Sequence, residues 1–128
     1  MDTPTLVRAA LNALVGEPEE ESAAGPGHRE LMRWYGLMHM GRVLDDKAPN
    51  YLKQALGWSY HAPCAGHDGI QLALGLTFRA GQDFLFPYYR DLTTCLAAGL
   101  TPLEIILNGI SKRDDPASGG RHMSNHFG

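Results

Sequence analysis

Every long periodic stretch of this chain repeats at the helical interval, and only one short run looks like a strand. Leu31, Trp34, Tyr35 and Met38 sit at i, i+3, i+4 and i+7, and Leu103, Ile106, Leu107 and Ile110 repeat the spacing. That spacing lays one apolar stripe along an α-helix. The strand-like run is Phe84-Leu85-Phe86-Pro87. The pattern predicts a mostly α-helical chain with at most one or two short strands.

Glycines and prolines divide the rest. Residues 3–15 read as a short amphipathic helix, with Thr3-Pro4 as N-cap and first-turn proline. Residues 16–27 read as a linker, acidic over Glu17–Glu21 and then rich in Gly, Pro and Ala. Residues 1–27 are thus an N-terminal arm, either docking elsewhere or trailing as a mobile tail. Residues 28–128 form the domain proper.

A long helix is expected over 28–47, with Leu37, Met40 and Leu44 widening its apolar face. Pro49 should break or kink it. A second piece, Asn50 to Leu56, should end at Gly57 as a left-handed cap. After a loop over 58–67, Asp68 opens a helix. Its Ile70, Leu72, Ala73, Leu74 and Leu76 run nearly all round, so deep burial is expected. Asp91 suits the N-cap of the next helix. Thr101-Pro102-Leu103-Glu104 is a capping box with proline at the first helical position. The segment from Lys112 to Gly128 is a polar, glycine-rich loop.

The 128 residues suffice for one domain with a real core. A net charge of -3 argues against a general nucleic-acid or membrane-surface binder. The two cysteines, Cys64 and Cys95, fit a reducing compartment better than a disulfide framework. No apolar run reaches transmembrane length. The N-terminus lacks the order of a secretory signal. A cytoplasmic location is the expectation.

Chemistry concentrates in Tyr88-Tyr89-Arg90-Asp91, where a strand-like run meets a helix start. A phenol and a guanidinium there, beside unpartnered helix N–H groups, suit an anionic ligand such as a diphosphate. The same residues also fit a structural role, with the tyrosine packed under the helix and Arg90 paired to Asp91 or Asp83. His61 and His67 flank a Pro-Cys-Ala-Gly turn and are either acid–base groups or solvent-facing loop histidines. His122 and His126 are four apart, but the surrounding glycines disfavour a helix and no carboxylate or thiol completes a ligand set, so no metal site is assigned. Cys64 has no base adjacent in sequence to make it a nucleophile.

From about Leu31 onward the chain resembles the N-terminal part of the alpha-type subunit of thiamine-diphosphate-dependent 2-oxo acid dehydrogenases. These are the decarboxylating first components of the pyruvate and branched-chain 2-oxo acid dehydrogenase complexes. Four motifs carry the resemblance in order: Tyr60 to Gly69 as an aromatic loop entering a helix, Asp83 to Asp91, Gly99 to Glu104, and Gly119 to Gly128. The Arg-His-Met-x-x-His-Phe ending is most similar to branched-chain or fused alpha–beta bacterial forms.

The resemblance implies an α/β thiamine-diphosphate-binding fold of which this chain is the N-terminal portion. It implies that Tyr89 and Arg90 bind the cofactor's diphosphate, and that His61 and His126 line the site. It implies thiamine diphosphate and magnesium as cofactors in the parent enzyme. The Gly-Asp-Gly to Asn-Asn segment that would hold magnesium is absent from this sequence. The implied partners are a beta-type subunit or beta half and the lipoyl domain of an acyltransferase. The implied activity is oxidative decarboxylation of a 2-oxo acid with acyl transfer to lipoyl, the fragment alone being inactive. The competing expectation is a free-standing helical interaction module without catalysis, against which stands an ending in mid-loop.

Overall fold

The computed structural model describes residues 25–54, 57, 58, 60–122 and 125–127. The helix expected over 3–15, the acidic linker up to Ala24, and Leu56 lie outside the described residues. Among the described residues there are four helices: α1 (His28–Lys53), α2 (Asp68–Thr77), α3 (Leu92–Ala97) and α4 (Pro102–Gly109). Among the described residues there is no strand.

Helix α1 starts at Gly27, carries Glu30 in its first turn and Lys53 in its last, and so matches the helix dipole at both ends. It buries Leu37, Gly41, Leu44, Asp45 and Ala48. That stripe is rotated from the one the periodicity suggested, for Leu31 and Tyr35 are largely exposed while Trp34 and Met38 only lean on the core. The apolar residues spread too far round α1 to define a single face. The small residues decide instead, because they let another backbone come close.

Pro49 does not break α1, which runs through it to Lys53 with Gln54 as cap. The ring lies on the exposed side, while its neighbour Ala48 is fully buried. Packing of Leu44 and Ala48 into the core outweighs the one N–H that proline lacks. Gly57 does adopt the left-handed conformation, with φ 109°. The indole of Trp58 next to it is buried and stacks on Tyr51 at 5.6 Å.

Helix α3 is the centre of the bundle. It has six residues, and Leu92 through Leu96 are all buried. Two glycines admit it. A Cβ at Gly41 would lie 2.5 Å from Thr93 Oγ1, and one at Gly75 would lie 2.5 Å from both Ala97 Cβ and Thr94 O. Helix α2 packs chiefly on α3 and also touches α1, burying Gln71, Leu72 and Gly75, with Leu76 partly buried against the core. Its Ile70 and Leu74 are 64% and 56% exposed, contrary to the deep burial expected from apolar residues all round. A helix whose neighbours all lie on one side covers one face, whatever its composition.

Helix α4 begins as its sequence reads. Thr101 Oγ1 accepts the Glu104 N–H, and the Glu104 carboxylate accepts the Thr101 N–H at 2.7 Å. Its buried residues are Ile105, Asn108 and Gly109, so the Leu103–Ile110 stripe is only half-buried. Asn108 faces inward because the following loop returns over it. Asn125 Nδ2 donates to Ile105 O at 3.0 Å and to Asn108 Oδ1 at 3.1 Å, and Phe127 enters the core. The loop turns on Asp115, whose carboxylate accepts the N–H groups of Ala117, Ser118 and Gly120 and the Ser118 hydroxyl.

Residues 84–87 are extended but form no ladder, which corrects the strand expected there. Phe84 and Phe86 are 89% and 86% exposed, while Leu85 is half-buried and Pro87 buried. The alternation of a strand is present. A neighbouring strand to pair with it is not among the described residues.

Candidate functional site

Extended residues 84–87 deliver the chain to a tight turn at Tyr88–Asp91. The Asp91 N–H donates to Tyr88 O at 2.8 Å, and the Tyr88 N–H donates to Asp91 Oδ2 at 2.9 Å. Asp91 occupies the N-cap position of α3 without capping it, since its carboxylate turns back to Tyr88. Gln71 of α2 does that work instead. Its Oε1 accepts the Thr93 N–H at 3.2 Å, and its Nε2 donates to Arg90 O at 3.1 Å and Asp91 Oδ1 at 3.4 Å.

Sequence reasoning missed Gln71. Its one signal was an amide among the apolar residues of α2. The consequence is chemical. The helix start expected to offer backbone donors is short and partly filled by Gln71, so any anion site here rests on side chains.

Arg90 is paired with neither carboxylate that could have claimed it. Asp83 is taken by Arg79, with a guanidinium nitrogen at 2.9 Å, and Asp91 by Tyr88 and Gln71. The Arg90 guanidinium carbon lies 6.0 Å from the Tyr88 ring centre and 5.9 Å from that of Tyr89, within cation–π range. Its Nε is buried and has no hydrogen-bond partner among the described residues.

Three phenols gather beside it. Tyr88 OH donates to Tyr89 OH at 2.8 Å, and Tyr89 OH lies 3.4 Å from Tyr60 OH. Hydrogen bonds with Tyr60, Tyr88 and Arg90 pull the Tyr89 phenol down to about 8. Those of Tyr60 and Tyr88 are pushed up, in both cases chiefly by the hydrogen bond with Tyr89. The exposed His126 ring stands edge-on to Tyr89 at 5.8 Å and Tyr88 at 6.3 Å, with His122 a further 6.4 Å from His126. Tyr89, Arg90 and His126 are therefore brought together.

His61 is placed elsewhere. It is buried, edge-on to Trp58, with Nε2 3.2 Å from Asp45 Oδ1. Asp45 also accepts the Cys64 N–H at 2.7 Å and the Cys64 thiol at 2.9 Å. Burial pushes the Asp45 carboxyl up, but His61 and the hydrogen bonds of Cys64 outweigh it and hold the group below its ordinary value. Burial and then Asp45 push the Cys64 thiol up to about 12, which makes it a poor nucleophile. Among the described residues no three His, Cys, Asp or Glu side chains come together as a metal would need.

An open cleft of about 520 Å³ lies on another side, lined by Phe84, Phe86, Cys95, Leu100, Ala117 and Phe127 among others. It is mainly apolar and includes none of the three tyrosines. The phenol–guanidinium cluster is the better site by its chemistry.

Residues 35–127 match the family described as Dehydrogenase E1 component. The chain belongs to the dehydrogenase E1 component family. All the residues of the phenol cluster fall inside that match. The chain is 31% identical over 106 residues to the 2-oxoisovalerate dehydrogenase subunit alpha of Bacillus subtilis, covering 83% of this chain and 32% of the relative. It is 33% identical over 94 residues to the 3-methyl-2-oxobutanoate dehydrogenase subunit alpha of Mycobacterium tuberculosis, covering 70% and 25%. The chain thus spans about a third or less of these curated relatives of the dehydrogenase E1 component family. No solved structure matches it.

Proposed function

We propose that this chain contributes the diphosphate-holding groups of a thiamine-diphosphate-dependent 2-oxo acid dehydrogenase, acting on a branched-chain 2-oxo acid. The named relatives and the family match support the substrate class. Residues 28–128 would then be the N-terminal portion of an α/β thiamine-diphosphate-binding domain, with 1–27 as its arm. The partners would be a beta-type subunit or beta half and a lipoyl domain, in the cytoplasm. Among the described residues no helix is long and apolar enough to cross a membrane.

One observation carries the proposal: a half-buried guanidinium held over two tyrosine rings, with a buried Nε that no group among the described residues satisfies. A buried donor left alone costs free energy, which an arriving anion would recover. The donor set fits a diphosphate. Arg90 supplies fixed positive charge and Tyr89 a hydroxyl whose low pKa makes it a strong donor. Gln71 fixes the turn that aims both. His126 stands edge-on beside them.

Thiamine diphosphate, when bound, supplies the carbanion-stabilising chemistry of 2-oxo acid decarboxylation. Magnesium would supply positive charge to offset that of the diphosphate, and we assign no residue here to it.

The test is Arg90→Ala in the full-length chain assembled with its partner subunit. Loss of a charge-assisted contact of about 1.5–3 kcal/mol predicts roughly 10- to 150-fold weaker thiamine diphosphate binding. The KM for the 2-oxo acid should move far less. Unchanged cofactor affinity would remove the proposed role.

A further inference from the structure

On the diphosphate role just given to Tyr89 and Arg90, we propose that Tyr60 is a positioning residue of the same anion site, held against Tyr89 by a buried anchor on Asp45. Tyr60 reaches the site from a loop 29 residues earlier in the chain. Its ring meets Tyr89 edge-on, with centres 5.1 Å apart at 84°. The Tyr89 oxygen is thereby bracketed by two hydroxyls, Tyr88 at 2.8 Å and Tyr60 at 3.4 Å.

The loop that carries Tyr60 has no regular structure of its own to hold it in place. Asp45 supplies the hold. From the middle of α1 it accepts the Cys64 N–H and the Cys64 thiol at 2.7 and 2.9 Å, and His61 Nε2 lies 3.2 Å away as a close contact outside hydrogen-bond geometry. The His61 side chain is 7% exposed, whereas its neighbour Tyr60 is 54% exposed. One residue is pinned inward and the next is therefore presented outward, toward Tyr89. Arg42 of α1 adds a looser tie to Asp68 at 3.6 Å, just past the loop.

The arrangement has a chemical consequence. Tyr89 donates to Tyr60 in the structure; once it donates to an incoming anion instead, its oxygen can accept from Tyr88 and, with the Tyr60 hydroxyl turned round, from Tyr60. A hydroxyl that accepts two hydrogen bonds is a stronger donor for the third. The groups facing Tyr89 are Tyr60, Tyr88, Arg90 and His126. Of these, the hydrogen bond with Tyr60 contributes most to the lowered Tyr89 phenol. An ionised Tyr89 would repel a diphosphate, so binding should weaken as pH rises through about 8.

The experiment compares Tyr60→Phe and His61→Gln with Tyr89→Phe and Arg90→Ala in the full-length chain with its partner subunit. The probe is inorganic pyrophosphate with magnesium, titrated calorimetrically, alongside ultraviolet detection of tyrosinate across pH. The transition missing from Tyr89→Phe identifies Tyr89. Tyr60→Phe keeps the ring and the fold, and should weaken pyrophosphate about three- to tenfold. It should also move the Tyr89 transition, and the pH at which binding fades, upward. His61→Gln should act in the same direction. If Tyr60→Phe changes neither readout while Tyr89→Phe and Arg90→Ala weaken binding, Tyr60 is a bystander and the inference is overturned, with the diphosphate role intact. If none of the four weakens binding, the diphosphate role itself fails and the inference falls with it.

Discussion

Gly41→Ala should destabilise the chain through one atom, and Thr93→Ala should relieve it. Gly41 lies on the buried stripe of α1 where α3 crosses. A Cβ there would stand 2.5 Å from Thr93 Oγ1, but 3.6 Å and 3.8 Å from Thr93 Cβ and Cα, which is ordinary contact. Thr93 is fully buried and cannot swing away. Overpacking of this kind costs about 1–3 kcal/mol. Alanine in a helix interior gains about 1 kcal/mol over glycine. We expect Gly41→Ala alone to lose about 2 kcal/mol, with the clash near the top of its range. With Thr93→Ala the clash is gone, and the same change should be neutral or stabilise by up to about 1 kcal/mol. The coupling is then about 2–3 kcal/mol, well beyond the scatter of independent sites. Urea unfolding followed by the fluorescence of buried Trp58 measures all four corners of the cycle. Effects that add to within about 0.5 kcal/mol would refute the reasoning.

Two further outcomes follow from buried acids and thiols. Burial raises the Asp115 carboxyl, but hydrogen bonds from Ser118 and from the loop backbone outweigh it and hold the group at about 2, against 3.8 for a free one. Because its folded value is depressed, its contribution of about 2 kcal/mol is present above pH 4 and fades as pH falls toward 2. Asp115→Asn should therefore cost about that much at pH 7, and a urea series should show the gap closing below pH 4; a constant gap would contradict the assignment. Cys64 and Cys95 are both buried, with thiols pushed up to about 12. Mass spectrometry should find neither alkylated by iodoacetamide in the folded state and both alkylated in urea; rapid labelling of Cys64 in the folded state would mean that the Asp45 anchor is not formed.

Local chemistry was the part of the fold most legible in the sequence. Thr101 and Glu104 can satisfy each other within one turn, so the start of α4 is written in four adjacent residues. The turn at Tyr88–Asp91 and the separateness of Arg90 from a carboxylate were harder. Whether Asp83 or Asp91 is free depends on Arg79 and on Gln71, and the amide of Gln71 arrives from another helix. Pro49 and α2 failed for one reason, that burial is settled between elements. A proline is tolerated where its ring faces out, and a leucine such as Leu74 stays exposed where no neighbouring helix covers its side. His61 could be read only as a loop histidine, because its partner Asp45 lies on α1, beyond the reach of local spacing. The dehydrogenase E1 component match was legible because its motifs are compact and ordered along the chain.

Phe84, Leu85 and Phe86 form an extended run with two bare aromatic side chains on one side. Such a run is a template on which a second copy could stack, edge to edge, as in a fibre. Pro87 closes it, and a residue without an N–H cannot continue the pairing. It acts as a gatekeeper, so replacing it should lengthen the sticky segment and shorten the time this chain stays in solution at high concentration.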